Sequence, residues 1–254
     1  AGIHFKTMKD SKKTQEQDDL NRRKFVGNTS KTVAGAAALS TLPIERFAHA
    51  AISPGDTIKV GLIGCGGRGT GAAVQALSTS ESTKLVAMAD VFKDKLENRL
   101  GIISKQKEKQ VDVKDENKFV GPDGYKKVIE QSDLVILTTP PGFRPYHFEE
   151  AIKQNKHVFM EKPVAVDGPG VRKVLEVAKI ADKKGLKVGV GLQRHHQAGY
   201  VETMKRLKDG AIGDFVSMRA YWNGGGVWDP RAGRGEVNSE LEYQLRNWYY
   251  YNWL

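Results

Sequence analysis

From Ile58 onward, short apolar runs alternate with longer stretches in which apolar residues recur every three or four positions. The runs at Ile58–Ile63, 84–89, 134–138, His157–Met160 and 187–190 have the length and near-continuous apolar character of parallel strands buried on both faces. Between them lie helical patterns: one opening in the glycines after Ile63, then Lys93–Lys107, 145–154 and 170–184. In the last, Val171, Val174, Leu175 and Ala178 fall at i, i+3, i+4 and i+7, a stripe predicted to face the core. Such alternation predicts an α/β fold, a doubly wound parallel sheet of the Rossmann type over residues 51–192. Past Gln197 the pattern changes. A helix at 199–208 leads through Gly210 and Gly213 to 215–222, which alternates partly in the manner of an antiparallel strand. Residues 193–254 are therefore expected to begin an α+β domain with an antiparallel sheet. The aromatic run 248–254 carries no turn or capping signal, so the expectation is a truncated second domain.

The first fifty residues follow a different logic. Arg22-Arg23 precedes Phe25-Val26, a weakly apolar run occupies 33–42, and Ala48-His49-Ala50 supplies a small-x-small cleavage site. In that order these features predict a twin-arginine export signal and a periplasmic or otherwise exported protein. The apolar run falls well short of the roughly twenty residues that cross a bilayer, which argues against a membrane anchor. Met8 fits a true initiator, with 1–7 as upstream sequence. Composition agrees with a soluble globular protein, at 39% hydrophobic and 28% charged residues. The net charge of +10 invites a nucleic-acid reading, but the first fifty residues supply +4 of it and the rest is diffuse. The Lys-rich stretch 105–118 is interleaved with Glu108, Asp112, Asp115 and Glu116 and is expected to be a solvated face. No nucleic-acid partner is expected. The single cysteine, Cys65, excludes an intramolecular disulfide and a multi-cysteine metal site.

Candidate chemistry begins where the first strand ends. Gly64, Gly66 and Gly69, with Gly67 and Arg68 among them, form G-x-G-x-x-G at a strand-to-helix junction. The first glycine permits the tight turn, the second lets backbone approach a pyrophosphate, and the third lets helix pack on strand. The helix opening there points free N–H groups at the phosphates. The second strand leads into Asp90, where a carboxylate can accept hydrogen bonds from the adenosine ribose. It would repel a 2′-phosphate, and Val91-Phe92 offers no adjacent cation, so NAD is expected over NADP, with Arg68 or Lys93 the groups that could reach such a phosphate.

Ligands of open parallel sheets sit beyond the carboxyl ends of the strands. Two such places are Thr138-Thr139-Pro140-Pro141-Gly142-Phe143-Arg144-Pro145-Tyr146-His147 and Glu161-Lys162-Pro163. A lysine held between a carboxylate and a proline at a partly buried sheet edge suits proton transfer, while composition alone would make Glu161 and Lys162 a solvated pair. With GLIGCGGRG (61–69), TTPPGFRPYH (138–147), HVFMEKPVAVD (157–167) and GLQRHHQ (191–197), the sequence resembles the Gfo/Idh/MocA oxidoreductases from about Ile58 on, and most closely an exported bacterial subgroup of them. The resemblance implies Lys162 as the active-site lysine, with Glu161, Pro163 and His147 near the nicotinamide half of the cofactor and Thr139, Pro140 and Pro141 beside it. It also implies cofactor contact by Gln193 and substrate contact by Arg194 and His195. Adjacent histidines such as His195-His196 do not converge on one ion, and no second cluster of ligands accompanies them, so no metal is expected. Trp222 or Trp228 is a candidate for stacking on a sugar face, Trp228 in a glycine-rich loop with Arg231; ordinary burial is the competing reading.

The resemblance thus implies an NAD-dependent oxidoreductase that moves a hydride between nicotinamide and a sugar, cyclitol or related hydroxyl compound, homo-oligomeric when full length. The family's downstream histidine/aspartate element does not occur in the chain, so this chain by itself is expected to be incomplete for catalysis. Two rivals stand beside it. One is a redox-neutral glycoside-cleaving enzyme that uses bound NAD transiently, against which Lys162 and Pro163 argue. The other is a non-catalytic nucleotide- or sugar-sensing protein.

Overall fold

The computed structural model describes residues 56–254, so the signal-like features around Arg22-Arg23 lie outside the described residues. Six strands, β1 (Ile58–Ile63), β2 (Thr83–Asp90), β3 (Lys118–Val120), β4 (Leu134–Leu137), β5 (His157–Met160) and β6 (Val188–Val190), form one sheet. Their order is β3-β2-β1-β4-β5-β6, and every neighbouring pair is parallel. In this doubly wound order the direction of winding reverses between β1 and β4, and a crevice opens at their carboxyl ends. The register sets Ile63 opposite Ala89 and Leu137, and Leu137 opposite Met160. The glycine turn, Asp90, Thr138 and Glu161 therefore leave the sheet along one edge.

Helices cover both faces. Leu62, Ala73, Leu77, Leu85, Leu96 and Ile103 form one core layer with α1 (Gly67–Leu77) and α2 (Lys93–Lys107). Val128, Val135, Leu137, Phe148, Val158 and Val174 form the other with α3 (Gly124–Gln131), α4 (Arg144–Lys153) and α5 (Gly168–Lys183). Each buried Leu, Ile, Val or Phe is worth about 1.5–3 kcal/mol relative to exposure, which is why these strands are apolar on both faces.

Several expectations need correction. In α5 the buried stripe is Val174, Val177 and Ala181, with Ala178 partly buried; Val171 and Leu175 point outward at 42% and 58% exposure. The helix also begins earlier, because Asp167 caps it by accepting from Gly170 N at 2.7 Å, and that start sets which residues meet the sheet. The 105–118 stretch is more than a solvated face. Val111 bridges to Leu85, Val111 and Val113 pack on the core, and the Gln110 side-chain amide lies 2.6–3.0 Å from the carbonyls of Leu77, Ser80 and Thr83. β3 and α3 follow it, both too short to give a periodic signal.

After β6 the chain forms α6 (Ala198–Lys208) and α7 (Glu240–Arg246). The strand expected at 215–222 does not form, and Val216, Met218 and Trp222 stand 97%, 80% and 86% exposed. A strand exists only by pairing its backbone groups, and among the described residues no strand follows β6 to supply a ladder. α7 is capped by Ser239, whose Oγ accepts from Glu242 N at 3.1 Å. No helix among the described residues is long and apolar enough to cross a membrane.

Candidate active-site cleft

The glycine turn is shaped by contact. Gly64 adopts φ +93°, a left-handed conformation that side chains disfavour, and a Cβ on it would lie 2.6 Å from Thr139 N. A Cβ on Gly69 would lie 2.2 Å from Gly64 O and 2.6 Å from Thr138 Oγ1, so α1 packs against the turn with no room for a methyl group. Gly66, the N-cap of α1, brings no side-chain cap, and a Cβ on Gly66 or Gly67 would meet nothing within 4 Å. The positive end of an eleven-residue helix thus faces open space, with Arg68 beside it.

Asp90 serves this turn directly. Its Oδ2 accepts from Cys65 N at 2.6 Å and its Oδ1 from Phe92 N at 2.9 Å, so the carboxylate clamps the turn to the end of β2. Each oxygen keeps a further lone pair for a ligand hydroxyl. Cys65 is buried, and burial together with nearby Asp90 pushes its thiol well above the usual range, making it inert packing. Although Val91-Phe92 brings no cation in sequence, the fold brings two. Arg246 of α7 lies 4.0 Å from the Phe92 ring centroid and pairs with Asp94 at 3.3 Å, while Lys95 lies 4.8 Å from the same ring.

The other side of the crevice is built from charge. Thr138 Oγ1 donates to Gly64 O at 2.6 Å, which joins the end of β4 to the glycine turn. Glu161 is buried and accepts from Arg68 Nε at 2.7 Å across 93 residues of sequence, so its partner is Arg68. Gly191 presses against it: a Cβ there would lie 2.7 Å from the carboxyl carbon and both oxygens. Lys162, expected to be partly buried, is exposed at the cleft instead, because Glu161 takes the inward position at the end of β5. Arg144 is 2% exposed and donates to the carbonyls of Thr139 and Pro163. Burial draws its guanidinium down to about 10, opposed by Glu161, so it stays charged at neutral pH.

A cleft of about 970 Å³ opens over these groups. Of the residues expected at the cofactor, Arg68, Thr139, Pro141, Glu161 and Gln193 line it together with Lys162. Arg194 and His195 line it too, both exposed, with Arg194 Nε donating to Tyr200 Oη at 3.1 Å and its guanidinium 5.5 Å from the Trp222 ring centroid. Gly64, Gly66, Gly67, Gly69 and Asp90 lie at the turn beside the cleft, and Pro140 stands back from its lining.

Two expected residues lie elsewhere. His147 is buried behind the lining, stacked on Tyr125 at 4.2 Å, with Nδ1 3.2 Å from Thr139 Oγ1. Burial, then the Arg144 charge, lowers its pKa from 6.5 to about 3, so it is a neutral prop for Thr139. Trp228 packs with Trp248, Tyr249 and Tyr250 and lies 4.1 Å from the Arg231 guanidinium. Apolar neighbours hold its ring away from the cleft, and Trp222 and Trp248 line the cleft instead. Arg144 and Gly191 escaped the sequence reading: arginines are rarely buried, and one glycine among 27 is unremarkable without its neighbour in space. Among the described residues no group of three His, Cys, Asp or Glu side chains is placed to hold a metal ion.

Comparison with known proteins agrees with the fold. Inositol 2-dehydrogenase of Klebsiella pneumoniae (strain 342) is 29% identical over 167 residues, 64% of this chain and 45% of that protein. A glycosyl hydrolase family 109 protein of Solibacter usitatus (strain Ellin6076) is 28% identical over 152 residues, 58% of this chain and 34% of that protein. The chain spans less than half the length of these relatives. The crystal structure of scyllo-inositol dehydrogenase from Lactobacillus casei with bound NAD(H) and scyllo-inositol shares the fold, with TM-score 0.51 at 23% identity over 63% of this chain and 43% of that one. The family model described as "Oxidoreductase family, NAD-binding Rossmann fold" matches residues 58–192. With that match over more than half its length, the chain belongs to the Gfo/Idh/MocA oxidoreductase family.

Proposed function

We propose that the chain holds NAD along the crevice and serves an oxidoreductase acting on a sugar, cyclitol or related hydroxyl compound. The observation that carries this reading is the uncapped start of α1, open above Gly66 and Gly67, beside the cleft that Arg68, Glu161 and Lys162 line. The N–H groups of α1 and Arg68 suit the pyrophosphate. Asp90 suits the adenosine ribose and disfavours a 2′-phosphate, while the Lys162 side of the cleft receives the nicotinamide half and the substrate. Bound NAD supplies the hydride acceptor or donor. Lys162, exposed at the cleft, takes or returns the hydroxyl proton of the substrate, and Arg194 with Trp222 forms a polar and aromatic wall suited to a polyol. The inositol 2-dehydrogenase relative supports a cyclitol or sugar as the substrate class.

The test is to titrate the protein with NADH and NADPH, then to assay NAD reduction with a panel of cyclitols and sugars. NADH binding and reduction by at least one polyol, abolished by Lys162→Ala, is expected; tighter NADPH binding, or reduction indifferent to that substitution, overturns the reading. The family 109 relative favours one alternative, a redox-neutral cleavage of glycosides. Release of sugar from an aryl glycoside without net NADH would select it.

We further propose that residues 193–254 belong to a second domain forming part of the substrate cleft, and that the whole protein is a homo-oligomer. The exposed apolar residues Val216, Met218 and Trp222 support both. Export through the twin-arginine route is proposed on Arg22-Arg23, the apolar run and Ala48-His49-Ala50. Retention of the protein in the cytoplasm after expression with its own N-terminus overturns the export proposal.

A further inference from the structure

Among the described residues, Arg144 heads the fully buried side chains by volume. Its position is unfavourable twice over. It opens α4, where the helix end is itself positive, and it removes a charge from water with no carboxylate in direct contact. Its Nε is buried without a partner. The facing anion, Glu161, is already engaged with Arg68 at 2.7 Å, and the neighbouring imidazole of His147 is neutral. A leucine here would avoid all of these penalties, so the two bonds the guanidinium does make must account for its presence.

Those bonds reach two different loops. One donor serves Thr139 O, in the turn after β4; the other serves Pro163 O, in the turn after β5, next to Lys162. The ladder between β4 and β5 runs out with Glu161 N donating to Leu137 O at 3.0 Å. Beyond that point the two backbones carry the cleft residues Thr139 and Lys162, and one planar group with a fixed fork of donors bridges them.

We propose that Arg144 is a positioning residue that holds Lys162 and the Thr139 turn in register to receive the nicotinamide half of the dinucleotide, while the adenosine half depends on the glycine turn and Asp90, which Arg144 does not touch. The inference rests on the NAD reading above. It separates the crevice into two halves that one substitution uncouples. The substitution is Arg144→Met, close in volume and without donors, and it is compared with wild type and Arg144→Lys in titrations with NADH and with ADP, which lacks the nicotinamide half.

The expected result in Arg144→Met is a loss of NADH affinity of about ten- to a hundredfold, the scale of losing charge-assisted hydrogen bonds. ADP affinity stays within about twofold, because the turn that binds it is untouched. Arg144→Lys keeps the charge and can serve one carbonyl, so it recovers part of the NADH affinity. Equal losses for ADP and NADH in Arg144→Met, or unchanged NADH affinity, overturn the proposal while wild type still binds both ligands. A wild-type protein that binds neither overturns the NAD reading and the proposal with it. Should Arg144→Met not fold, Arg144→Lys carries the test: NADH weakened several-fold with ADP unchanged supports the proposal, and NADH affinity equal to wild type overturns it.

Discussion

The glycine turn after β1 and the Glu161-Lys162-Pro163 turn after β5 face one crevice, yet they are held by different physics. At the first, shape is set by what backbone cannot tolerate: Gly64 at φ +93° and Gly69 with a carbonyl 2.2 Å from where its Cβ would be. At the second, shape is set by charge removed from water, with Glu161 on Arg68 and Arg144 on two carbonyls. A steric wall tolerates no added atom, whether the neighbour is Gly64 O within the turn or Thr139 N just after β4. A charged wall draws its parts from distant segments and is sensitive to the loss of a partner. The difference suits a dinucleotide, whose pyrophosphate needs a fixed cradle and whose reactive end needs oriented groups.

That contrast can be broken or sharpened experimentally. The largest effect is expected at Lys162, where replacement by Ala removes the proton-transfer group and lowers kcat about 10²–10⁴-fold. Because the side chain is exposed, thermal stability should stay close to wild type. A parallel loss of stability would make Lys162 part of the wall. Next comes Gly69→Ala, which drives a methyl group into backbone and should destabilise the fold by about 2–3 kcal/mol while removing most ADP and NADH binding. A urea melt and ADP titration matching wild type would show the turn to be more pliant than its contacts indicate.

Another effect concerns acid. The unfolded imidazole of His147 takes up its proton near the ordinary 6.5, whereas the buried one does so only at about 3. Between those values the unfolded chain binds more protons. The stability from neutral His147 is therefore full above about pH 6.5 and is lost as pH falls toward 3, at up to about 1.4 kcal/mol per pH unit. Replacing His147 with Gln should flatten this limb in melts recorded from pH 7 to 4, and an unchanged slope would assign acid sensitivity to other groups. The smallest expected change is Gly191→Ala. Its methyl group would lie 2.7 Å from the carboxylate of Glu161, the far end of a side chain that must move to admit it, so about 1 kcal/mol is expected. The pairing with Arg68 should loosen, seen as weaker NADH binding with ADP binding kept.

The steric wall was legible in the chain and the charged wall only in outline. G-x-G-x-x-G after an apolar run states much of its own geometry, since Gly69 needs to be glycine because of Gly64 five residues before it, while the contact of Gly64 with Thr138 and Thr139 exists only in space. Glu161 and Lys162 were singled out by following a strand, but sequence paired them with each other. In space Glu161 turns inward to Arg68 and Lys162 turns outward to the cleft. Arg144 lay inside the singled-out stretch 138–147 but had no role of its own there, because burial of an arginine depends on what surrounds it. The strand expected at 215–222 failed for a related reason, its alternation being one half of a pairing whose other half must come from elsewhere.

The parallel sheet, the glycine turn and the placing of Lys162 just after a strand follow from the chain itself, because hydrophobic runs and the backbone freedom of glycine act over a few residues. The tertiary structure decided which charges meet. It tied Asp90 to its own turn, sent His147 behind Thr139, turned Val171 and Leu175 outward, and buried Arg144 between two loops. Burial and Coulomb attraction depend on distance through space, and the fold alone sets the separation of residues 93 apart in the chain.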